Sequence, residues 1–205
     1  MRTNNNTPTV NPQAFLDVAY VFLDRDGVIN KKLPEGQYVK SWEEFELLPD
    51  VEAAIGRLNL RGYKVIVVSN QRGVALGYCT LDDLHKIHDQ LHQHLAARNA
   101  YLDAIYVCPH APNTCECRKP APGLFLQAFR DYPKATPQNS VLIGDSLADM
   151  QAARAVGIRG ILIVGASDTR KPGFEQAIRM ANATAESLED AVRRYLHSCH
   201  DTETT

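Results

Sequence analysis

The sequence predicts an α/β fold built on a doubly wound parallel sheet. Short β-branched runs alternate along the chain with segments of helical periodicity, as in repeated strand and helix units. The strand candidates are continuously apolar, which is typical of strands buried on both faces of a sheet. A chain of 205 residues with 44% hydrophobic composition is long enough to bury a full core without disulfides.

The first half of the chain predicts two strands and two helices. An apolar strand at 19–23 ends in an acidic motif, and a helix at 51–61 is followed by Gly62 as its C′ residue. A second apolar strand follows at 64–68. The next helix, at 81–99, begins after Thr80, which is an N-cap candidate.

The second half repeats this pattern. Strands are expected at 104–107, 141–143 and 160–164, and helices at 123–131, 147–156 and 185–196. Gly157 follows the fourth helix as a C′ residue. Doubly wound sheets bind ligands beyond the carboxyl ends of their strands, so the residues that follow each strand are the first candidates for a site.

The two ends of the chain differ in composition from this core. Residues 1–16 are rich in Asn, Thr and Pro, and the residues after Leu196 are similarly polar and lack periodicity. We therefore expect a mobile leader at 1–16, a mobile tail at 198–205 and one domain at 17–197.

Composition also limits the functional class. The formal net charge is −2, with 22 Lys and Arg against 24 Asp and Glu, and the absence of a basic block argues against nucleic acid as a partner. The apolar runs are far shorter than the roughly 20 residues that cross a membrane. The first residues lack the apolar stretch of a secretory signal. We expect a cytoplasmic monomer.

Acidic residues follow two of the predicted strands. Asp24 and Asp26 follow the first strand in the sequence Leu-Asp-Arg-Asp-Gly, and Asp145 follows the fourth strand, with Asp149 one helical turn later. The first motif alone is also compatible with an Asx turn before Gly27. Because parallel strands share one carboxyl edge, we expect the carboxylates of Asp24, Asp26 and Asp145 to converge and hold Mg²⁺.

Polar groups suited to a phosphoryl group follow the second strand and precede the third helix. Ser69 offers a hydroxyl, and the backbone N–H groups of Asn70 and Gln71 lie beside it. Alone, these residues would indicate only a turn, and Lys119 would be an ordinary surface lysine. Together with the two aspartates of the first strand, Ser69 and Lys119 predict a site for metal-assisted phosphoryl transfer, in which these four side chains are catalytic.

A cluster of soft metal ligands precedes Lys119. The cluster consists of Cys108, His110, Cys115 and Cys117. In a reducing compartment such a cluster favours metal over disulfide, and a Cys₃His set is typical of closed structural zinc sites. The alternative is a reduced surface loop with chance thiols. We expect Zn²⁺ to order the loop 108–119 and to fix Arg118 and Lys119 over the site.

These motifs resemble those of the haloacid dehalogenase superfamily of phosphatases. The resemblance covers most of the chain and rests on the Asp-Arg-Asp-Gly-Val, Ser-Asn-Gln, Arg-Lys-Pro and Gly-Asp-Ser-Leu-Ala-Asp segments. It implies a Rossmann-like fold in which Asp24 forms an aspartyl-phosphate and Asp26 is the general acid and base. It also implies that Ser69 and Lys119 bind the transferring phosphoryl group and that Asp145 holds Mg²⁺.

Shorter motifs resemble one subgroup of this superfamily, the zinc-loop phosphatases that act on heptose bisphosphate or histidinol phosphate. The Cys-Pro-His and Cys-x-Cys-Arg-Lys-Pro-x-Pro-Gly segments carry this resemblance. Residues 74–80 and 120–124 favour the heptose enzymes. The resemblance therefore implies a sugar phosphate substrate that loses its 7-phosphate, with histidinol phosphate as the alternative.

Spacing leaves no room for a cap domain. The intervals from Asp26 to Ser69 and from Ser69 to Lys119 are largely filled by predicted helices, a strand and the zinc loop. Residues 30–45 can form only a small flap. The predicted substrate-binding residues lie in the loops around the site and are Arg25, Tyr38, Asn70, Gln71, Arg72 and Arg118.

Two other functional classes remain to be distinguished from an enzyme. A receiver-type signalling domain also gathers acidic residues, a hydroxyl and a lysine around Mg²⁺, but it lacks an acid two residues after the phospho-acceptor, where this chain has Asp26. A zinc-ribbon nucleic-acid binder is opposed by the charge balance. His85, His88 and His92 share one helix face, which we interpret as exposed polar positions.

Overall fold

The computed structural model describes residues 15–165 and 172–196. The expected tail at 198–205, Cys199 and all but the last two residues of the expected leader lie outside the described residues. At the end of that leader, Phe15 is buried, and its ring lies 5.5 Å from the ring of Tyr195. The core of the described chain therefore includes Phe15.

One parallel sheet organises the fold. Its strands are β1 (Tyr20–Leu23), β2 (Lys64–Asn70), β3 (Ala104–Cys108), β4 (Ser140–Gly144), β5 (Arg159–Ile163) and β6 (Ala183–Ala185). The strands lie in the order β3-β2-β1-β4-β5-β6, and every neighbouring pair is parallel. The order reverses between β1 and β4, which is the switch point where doubly wound sheets bind ligands. The predicted fold class and all five predicted strands are confirmed.

Helices cover both faces of this sheet. They are α1 (Val51–Leu60), α2 (Arg72–Ala75), α3 (Leu81–Ala96), α4 (Gly123–Asp131), α5 (Leu147–Ala155), α6 (Phe174–Met180) and α7 (Leu188–Tyr195). Val21 and Leu23 pack with α1, α3 and α7, whereas Tyr20 and Phe22 pack with α4 and α5. Successive residues of β1 thus enter opposite layers, which explains why the strand is apolar throughout.

The last part of the chain differs from the prediction. The structure contains α6 and β6, which the sequence pattern does not predict, and α7 begins at Leu188 rather than at Ala185. β6 has only three residues, Ala-Thr-Ala, which pair with β5 in the register Ile161↔Ala183. A strand this short is stabilised by pairing and burial, so its local sequence does not distinguish it from a helix start.

The predicted helix ends are present. Thr80 Oγ1 accepts a hydrogen bond from the backbone N–H of Asp83 at 3.1 Å, and the Asp83 carboxylate accepts one from Thr80 N at 3.0 Å. Gly62 and Gly157 follow α1 and α5 with φ of +81° and +73°. This left-handed conformation favours glycine at a helix C-terminus, so local signals define these helix boundaries.

The segment between β1 and α1 contains residues 30–45, the predicted flap. It contains one short 3₁₀ helix, Trp42–Glu44, and no second domain among its residues, all of which the structure describes. The Trp42 ring stacks on Phe45 at 5.2 Å and lies 5.7 Å from His94 of α3. These contacts fix the base of the flap on α3. Among the helices described, none is long and apolar enough to cross a membrane.

Candidate active site

Three carboxylates and a lysine meet at the switch point of the sheet. Asp24 follows β1, Asp145 follows β4 and Asp149 lies in the first turn of α5, with one oxygen of each within 4.8 Å of the others. Lys119 Nζ lies 2.9 Å from Asp24 Oδ1 and 2.6 Å from Asp149 Oδ1. Lys32 Nζ is 4.0 Å from Asp145 Oδ2. Negative charge still exceeds positive charge, so the donor set fits a hard divalent cation.

Close packing between two loops positions Asp145. Gly27 has φ of +97°, and a Cβ at this position would collide with Asp145 Oδ2. Glycine is therefore required for the loop after β1 to approach the loop after β4. Asp149 is oriented by the cap of α5, because its Oδ2 accepts a hydrogen bond from the backbone N–H of Ser146 at 3.0 Å.

The ammonium of Lys119 is fixed by three acceptors and by its own backbone. In addition to the two carboxylates, Nζ donates to Val68 O at 2.7 Å. The Lys119 N–H donates to Asn70 Oδ1 at 3.0 Å, and Asn70 Nδ2 donates to Lys119 O at 2.9 Å. Burial works to lower the pKa of Lys119, but Asp149 and Asp24 outweigh it and raise the pKa. Lys119 is therefore a fixed positive charge whose position Asn70 links to β2.

The carboxylate of Asp26 has its own set of donors. It accepts hydrogen bonds from Arg25 Nη2 at 3.0 and 3.2 Å, from Asn30 Nδ2 at 2.9 Å and from Gln71 Nε2 at 2.9 Å. Burial alone would raise the pKa of Asp26, but the Arg25 charge and the two amides hold it below its ordinary value. Asp26 therefore rests as a carboxylate beside the acidic group, which consists of Asp24, Asp145 and Asp149.

The acidic group differs in one member from the expected set. From the sequence we expected Asp26 beside Asp24 and Asp145, whereas the structure brings Asp149 to that position. The reason is local, because Arg25 and its neighbours draw the Asp26 carboxylate to themselves, while the first turn of α5 carries Asp149 inward. The second aspartate of the Gly-Asp-Ser-Leu-Ala-Asp segment was the available signal.

Ser69 lies fully buried at the end of β2. Its Oγ accepts a hydrogen bond from Gln71 Nε2 at 2.7 Å, so Gln71 connects Ser69 with Asp26. We expected the Gln71 backbone N–H to face a phosphoryl group, but it donates to Cys108 O at 2.7 Å. The contribution of Gln71 to the site is thus its side chain, since its backbone N–H bonds to the end of β3.

A cavity of about 950 Å³ opens at this site, and Ser69 and Asp145 are not among the residues that line it. Asp24, Asp26 and Lys119 line it together with flap residues 31–39. The ring of Tyr38 in the flap stacks on Tyr78 at 5.3 Å, which links the flap to the loop before α3. The reacting groups and the flap therefore face one common space.

The predicted substrate-binding residues differ in how they lie relative to this cavity. Four that line it are Tyr38, Asn70, Gln71 and Arg118, and all of these except the buried Gln71 are partly exposed. Arg72 is exposed on α2 and does not line the cavity. Arg25 is only 1% exposed, and its guanidinium contacts Asp26. A direct contact between substrate and the Arg25 guanidinium would therefore require it to leave that carboxylate.

The predicted zinc ligands come together in one cluster. Cys108 Sγ lies 3.5 Å from Cys115 Sγ and 3.6 Å from His110 Nδ1, and Cys117 Sγ lies 3.4 and 3.3 Å from the same two atoms. A tetrahedral site with Zn–S bonds of about 2.3 Å places its sulfurs roughly 3.8 Å apart, so this donor set fits zinc. Without metal, burial and hydrogen bonds to the neighbouring thiols raise the pKa of Cys117 to about 12. Binding of a metal cation would displace thiol protons.

The cysteine loop packs on the start of α4. The Gly123 N–H donates to Glu116 O at 3.0 Å, and a Cβ on Gly123 would collide with that oxygen. The loop ends in Arg118, whose Nη1 donates to His110 O at 3.4 Å, and in Lys119. An ordered cysteine cluster therefore also fixes the positions of Arg118 and Lys119, which line the cavity.

The order in which these groups follow the strands is the one expected of the superfamily that the motifs resemble. A match to a family model confirms that resemblance. The chain belongs to the haloacid dehalogenase-like hydrolases, matched over residues 8–157.

Individual relatives are more specific than the family. The D-glycero-alpha-D-manno-heptose-1,7-bisphosphate 7-phosphatase of Mycobacterium bovis is 38% identical over 169 residues, 82% of this chain and 86% of the relative. The corresponding beta enzyme of Escherichia coli is 38% identical over 181 residues, 84% of this chain and 92% of the relative. The crystal structure of D,D-heptose 1,7-bisphosphate phosphatase from B. bronchiseptica, complexed with magnesium and phosphate, has a TM-score of 0.76 and 32% identity, covering 87% of this chain and 98% of that one.

Proposed function

We propose that this chain is a phosphatase that removes the 7-phosphate of D-glycero-D-manno-heptose 1,7-bisphosphate through an aspartyl-phosphate intermediate. The observation that carries the proposal is Asp24, paired with Lys119 beside an acidic group, at a cavity large enough for a sugar bisphosphate. Relatives named for both anomers of this heptose bisphosphate support the substrate. Histidinol phosphate, the alternative, is not favoured by these relatives.

Asp24 supplies the nucleophile. Its Oδ1 accepts hydrogen bonds from the Arg25 backbone N–H at 2.7 Å and from Lys119 Nζ at 2.9 Å, which hold the carboxylate in place. A carboxylate oxygen forms a bond to phosphorus as the bond from phosphorus to the sugar oxygen breaks. Lys119 offsets the negative charge that would otherwise repel a carboxylate from a phosphate.

Asp26 transfers the protons. It donates a proton to the departing sugar alkoxide, and the resulting carboxylate then accepts a proton from the water that attacks the aspartyl-phosphate. Inorganic phosphate leaves and Asp24 is restored. The pKa of Asp26 is below its ordinary value in the resting site. A phosphate dianion in the cavity raises that pKa through repulsion of like charges, so substrate binding favours the protonated acid.

Two metal sites complete the proposal. Asp24, Asp145 and Asp149 would hold Mg²⁺, which would neutralise charge on the transferring phosphoryl group. The magnesium in the B. bronchiseptica structure supports Mg²⁺ as the cation. The cysteine cluster would hold Zn²⁺ with four protein ligands and no open position, so its role is to order the loop that carries Arg118 and Lys119.

Arg118 is the proposed contact for the phosphate that does not react. It lines the cavity at the end of the cysteine loop, and a guanidinium can hold a phosphate through two parallel hydrogen bonds. Histidinol phosphate has no second phosphate, so this contact favours the bisphosphate.

Arg118→Ala should raise KM for the heptose bisphosphate and leave kcat for monophosphates unchanged. Loss of a charge-assisted contact costs about 1.5 to 3 kcal/mol, which corresponds to a rise in KM of roughly 10- to 100-fold. Steady-state kinetics on heptose bisphosphate, histidinol phosphate and another sugar monophosphate measure this effect. Arg154→Ala, an exposed arginine on α5, is the matched control. Equal losses on mono- and bisphosphates would exclude Arg118 as the second-phosphate contact and weaken the assigned substrate.

Purified protein should contain about one equivalent of zinc per chain, bound by the cysteine cluster. Removing it with a chelator should disorder the loop and reduce activity, and added Mg²⁺ should not restore that activity because the two sites are separate. Elemental analysis and phosphate release measure the two quantities. Cys79→Ser should keep both zinc and activity, since Cys79 lies outside the cluster, whereas Cys115→Ser should lose zinc. Full activity in zinc-free protein would contradict the structural role.

The cytoplasmic location and the monomeric state expected from the sequence remain predictions.

A further inference from the structure

His88 is a buried histidine that the proposed mechanism does not use. It lies on α3, on the face that we interpreted from the sequence as a row of exposed polar positions. His85 on that face is exposed, but His88 is only 7% exposed, so the interpretation is wrong for this residue. Burial of an imidazole costs free energy unless its nitrogens find partners, so the partner of His88 is informative.

The partner of His88 is Arg25. His88 Nε2 lies 3.5 Å from Arg25 Nη1. A guanidinium can only donate hydrogen bonds, so Nε2 is the acceptor in this contact and Nδ1 carries the ring proton. Burial, followed by the positive charge of Arg25, lowers the pKa of His88 to about 3. The ring therefore remains a neutral acceptor at neutral pH.

Few contacts hold the guanidinium of Arg25. Its Nε makes no hydrogen bond among the described residues, and its carbon lies 5.5 Å from the centre of the Phe45 ring. Nη2 contacts Asp26 and Nη1 contacts His88. His88 is therefore the one acceptor that the described residues provide for Nη1, and its loss removes the hydrogen bond on that side of the guanidinium.

The orientation of Arg25 matters because Arg25 contacts both oxygens of Asp26. Those distances are 3.0 and 3.2 Å, whereas Asn30 and Gln71 each contact one oxygen. Proton transfer requires the acid within hydrogen-bond distance of the leaving oxygen, and a displacement of about 1 Å can cost on the order of 100-fold in rate.

We propose that His88 is a positioning residue for proton transfer: it orients the Arg25 guanidinium, which in turn orients the Asp26 carboxylate toward the leaving oxygen. This inference rests on the proposed function, because it assigns His88 to the step in which Asp26 protonates the sugar. His88 touches neither the substrate cavity nor the acidic group.

Two substrates with different leaving groups distinguish a role of His88 in positioning the acid from a role in packing alone. A sugar alkoxide needs the proton of Asp26 to depart, whereas the phenolate of p-nitrophenyl phosphate departs without it. His88→Leu removes the acceptor and should lower kcat/KM about tenfold on heptose bisphosphate and less than about twofold on the aryl phosphate. His88→Gln keeps an acceptor oxygen and should recover to within about threefold of the unmodified enzyme on both substrates.

Two controls accompany these variants. His85→Leu makes the same substitution on an exposed position of the same helix and should leave both rates unchanged. Urea unfolding of each variant reports the fold. Arg25→Lys keeps the charge but cannot contact Asp26 and His88 through two nitrogens, so it should show the same selective loss and provides the test if His88→Leu does not fold.

Equal losses on the two substrates, or identical rates for His88→Gln and His88→Leu, would overturn the inference, because packing alone would then explain the effect. Asp26→Ala, measured alongside, separates this failure from failure of the proposed function. If Asp26→Ala lowers kcat/KM on the sugar substrate alone and folded His88→Leu does not, only the inference is wrong. If Asp26→Ala lowers kcat/KM equally on both substrates, the acid role of Asp26 and this inference fail together.

Discussion

Asp24→Asn should abolish turnover and leave the fold intact. An amide cannot attack phosphorus, and it removes one negative charge from the group that would hold Mg²⁺. Loss of a covalent nucleophile lowers kcat on the order of 10⁴-fold or more. The amide oxygen can still accept the hydrogen bonds that Arg25 N–H and Lys119 Nζ donate to Asp24 Oδ1, so the local structure should persist.

Phosphate release under saturating substrate measures this loss, and urea unfolding checks the fold. Asp82→Asn, which makes the same change at an exposed position of α3, should retain full activity. Acid quenching of the unmodified enzyme during turnover should trap phosphate on Asp24, and Asp24→Asn should trap none. Residual activity of the variant within tenfold of the unmodified enzyme would exclude Asp24 as the nucleophile.

Asp26→Ala should lower kcat/KM on heptose bisphosphate by roughly 10²- to 10⁴-fold, the usual contribution of a general acid. On an aryl phosphate, kcat/KM should change little, because it reports formation of the aspartyl-phosphate with a leaving group that needs no proton. Hydrolysis of that intermediate still lacks its base. The variant should therefore release a burst of about one phenolate per chain and then turn over slowly.

Rapid mixing with p-nitrophenyl phosphate measures the burst, and steady-state assays measure the slow phase. Asp26→Asn is a useful companion because it removes the proton function and keeps one acceptor oxygen, which can serve either Asn30 or Gln71, since these two donate to different oxygens of Asp26. Equal losses of kcat/KM on sugar and aryl phosphates, without a burst, would contradict the acid and base role.

Much of the sheet could be predicted because its strands are buried on both faces. β1 is apolar throughout and β2 is apolar from Val65 to Val68, and a polar residue of the site comes directly after each of these runs. Thr80 and Gly62 carry local signals that define helix ends without help from tertiary contacts. By contrast, β6 has three small or polar residues whose pairing with β5 is a long-range contact, which periodicity does not record.

The positions of the polar site residues could also be predicted, but their partners could not. Parallel topology brings the ends of β1, β2 and β4 to one edge, so the placement of Asp24, Ser69 and Asp145 along that edge follows from order along the chain. The set of carboxylates that can bind one cation depends on side-chain rotamers and on the helix cap that orients Asp149. For this reason the structure has Asp149 in the acidic group, where the sequence suggested Asp26.

Buried charge was the least predictable feature of the site. Arginine is mostly exposed and histidine is intermediate, so the sequence favoured Arg25 as a substrate contact and, on a polar helix face, His88 as a surface residue. Both are buried, because Arg25 finds a carboxylate, an imidazole and the Phe45 ring as partners. His88 and Phe45 are distant from Arg25 in the sequence, and no sequence motif indicates that these side chains are in contact.

The most direct test of the proposed function is to identify which phosphate leaves heptose 1,7-bisphosphate. Phosphorus NMR during turnover with Mg²⁺ resolves the 1-phosphate, the 7-phosphate and inorganic phosphate as separate signals. The proposed reaction predicts that the 7-phosphate signal is replaced by inorganic phosphate while the 1-phosphate signal persists, and that the Asp24→Asn protein changes neither. Loss of the 1-phosphate signal first, or an unchanged spectrum under conditions in which the same enzyme hydrolyses histidinol phosphate, would contradict the proposed function.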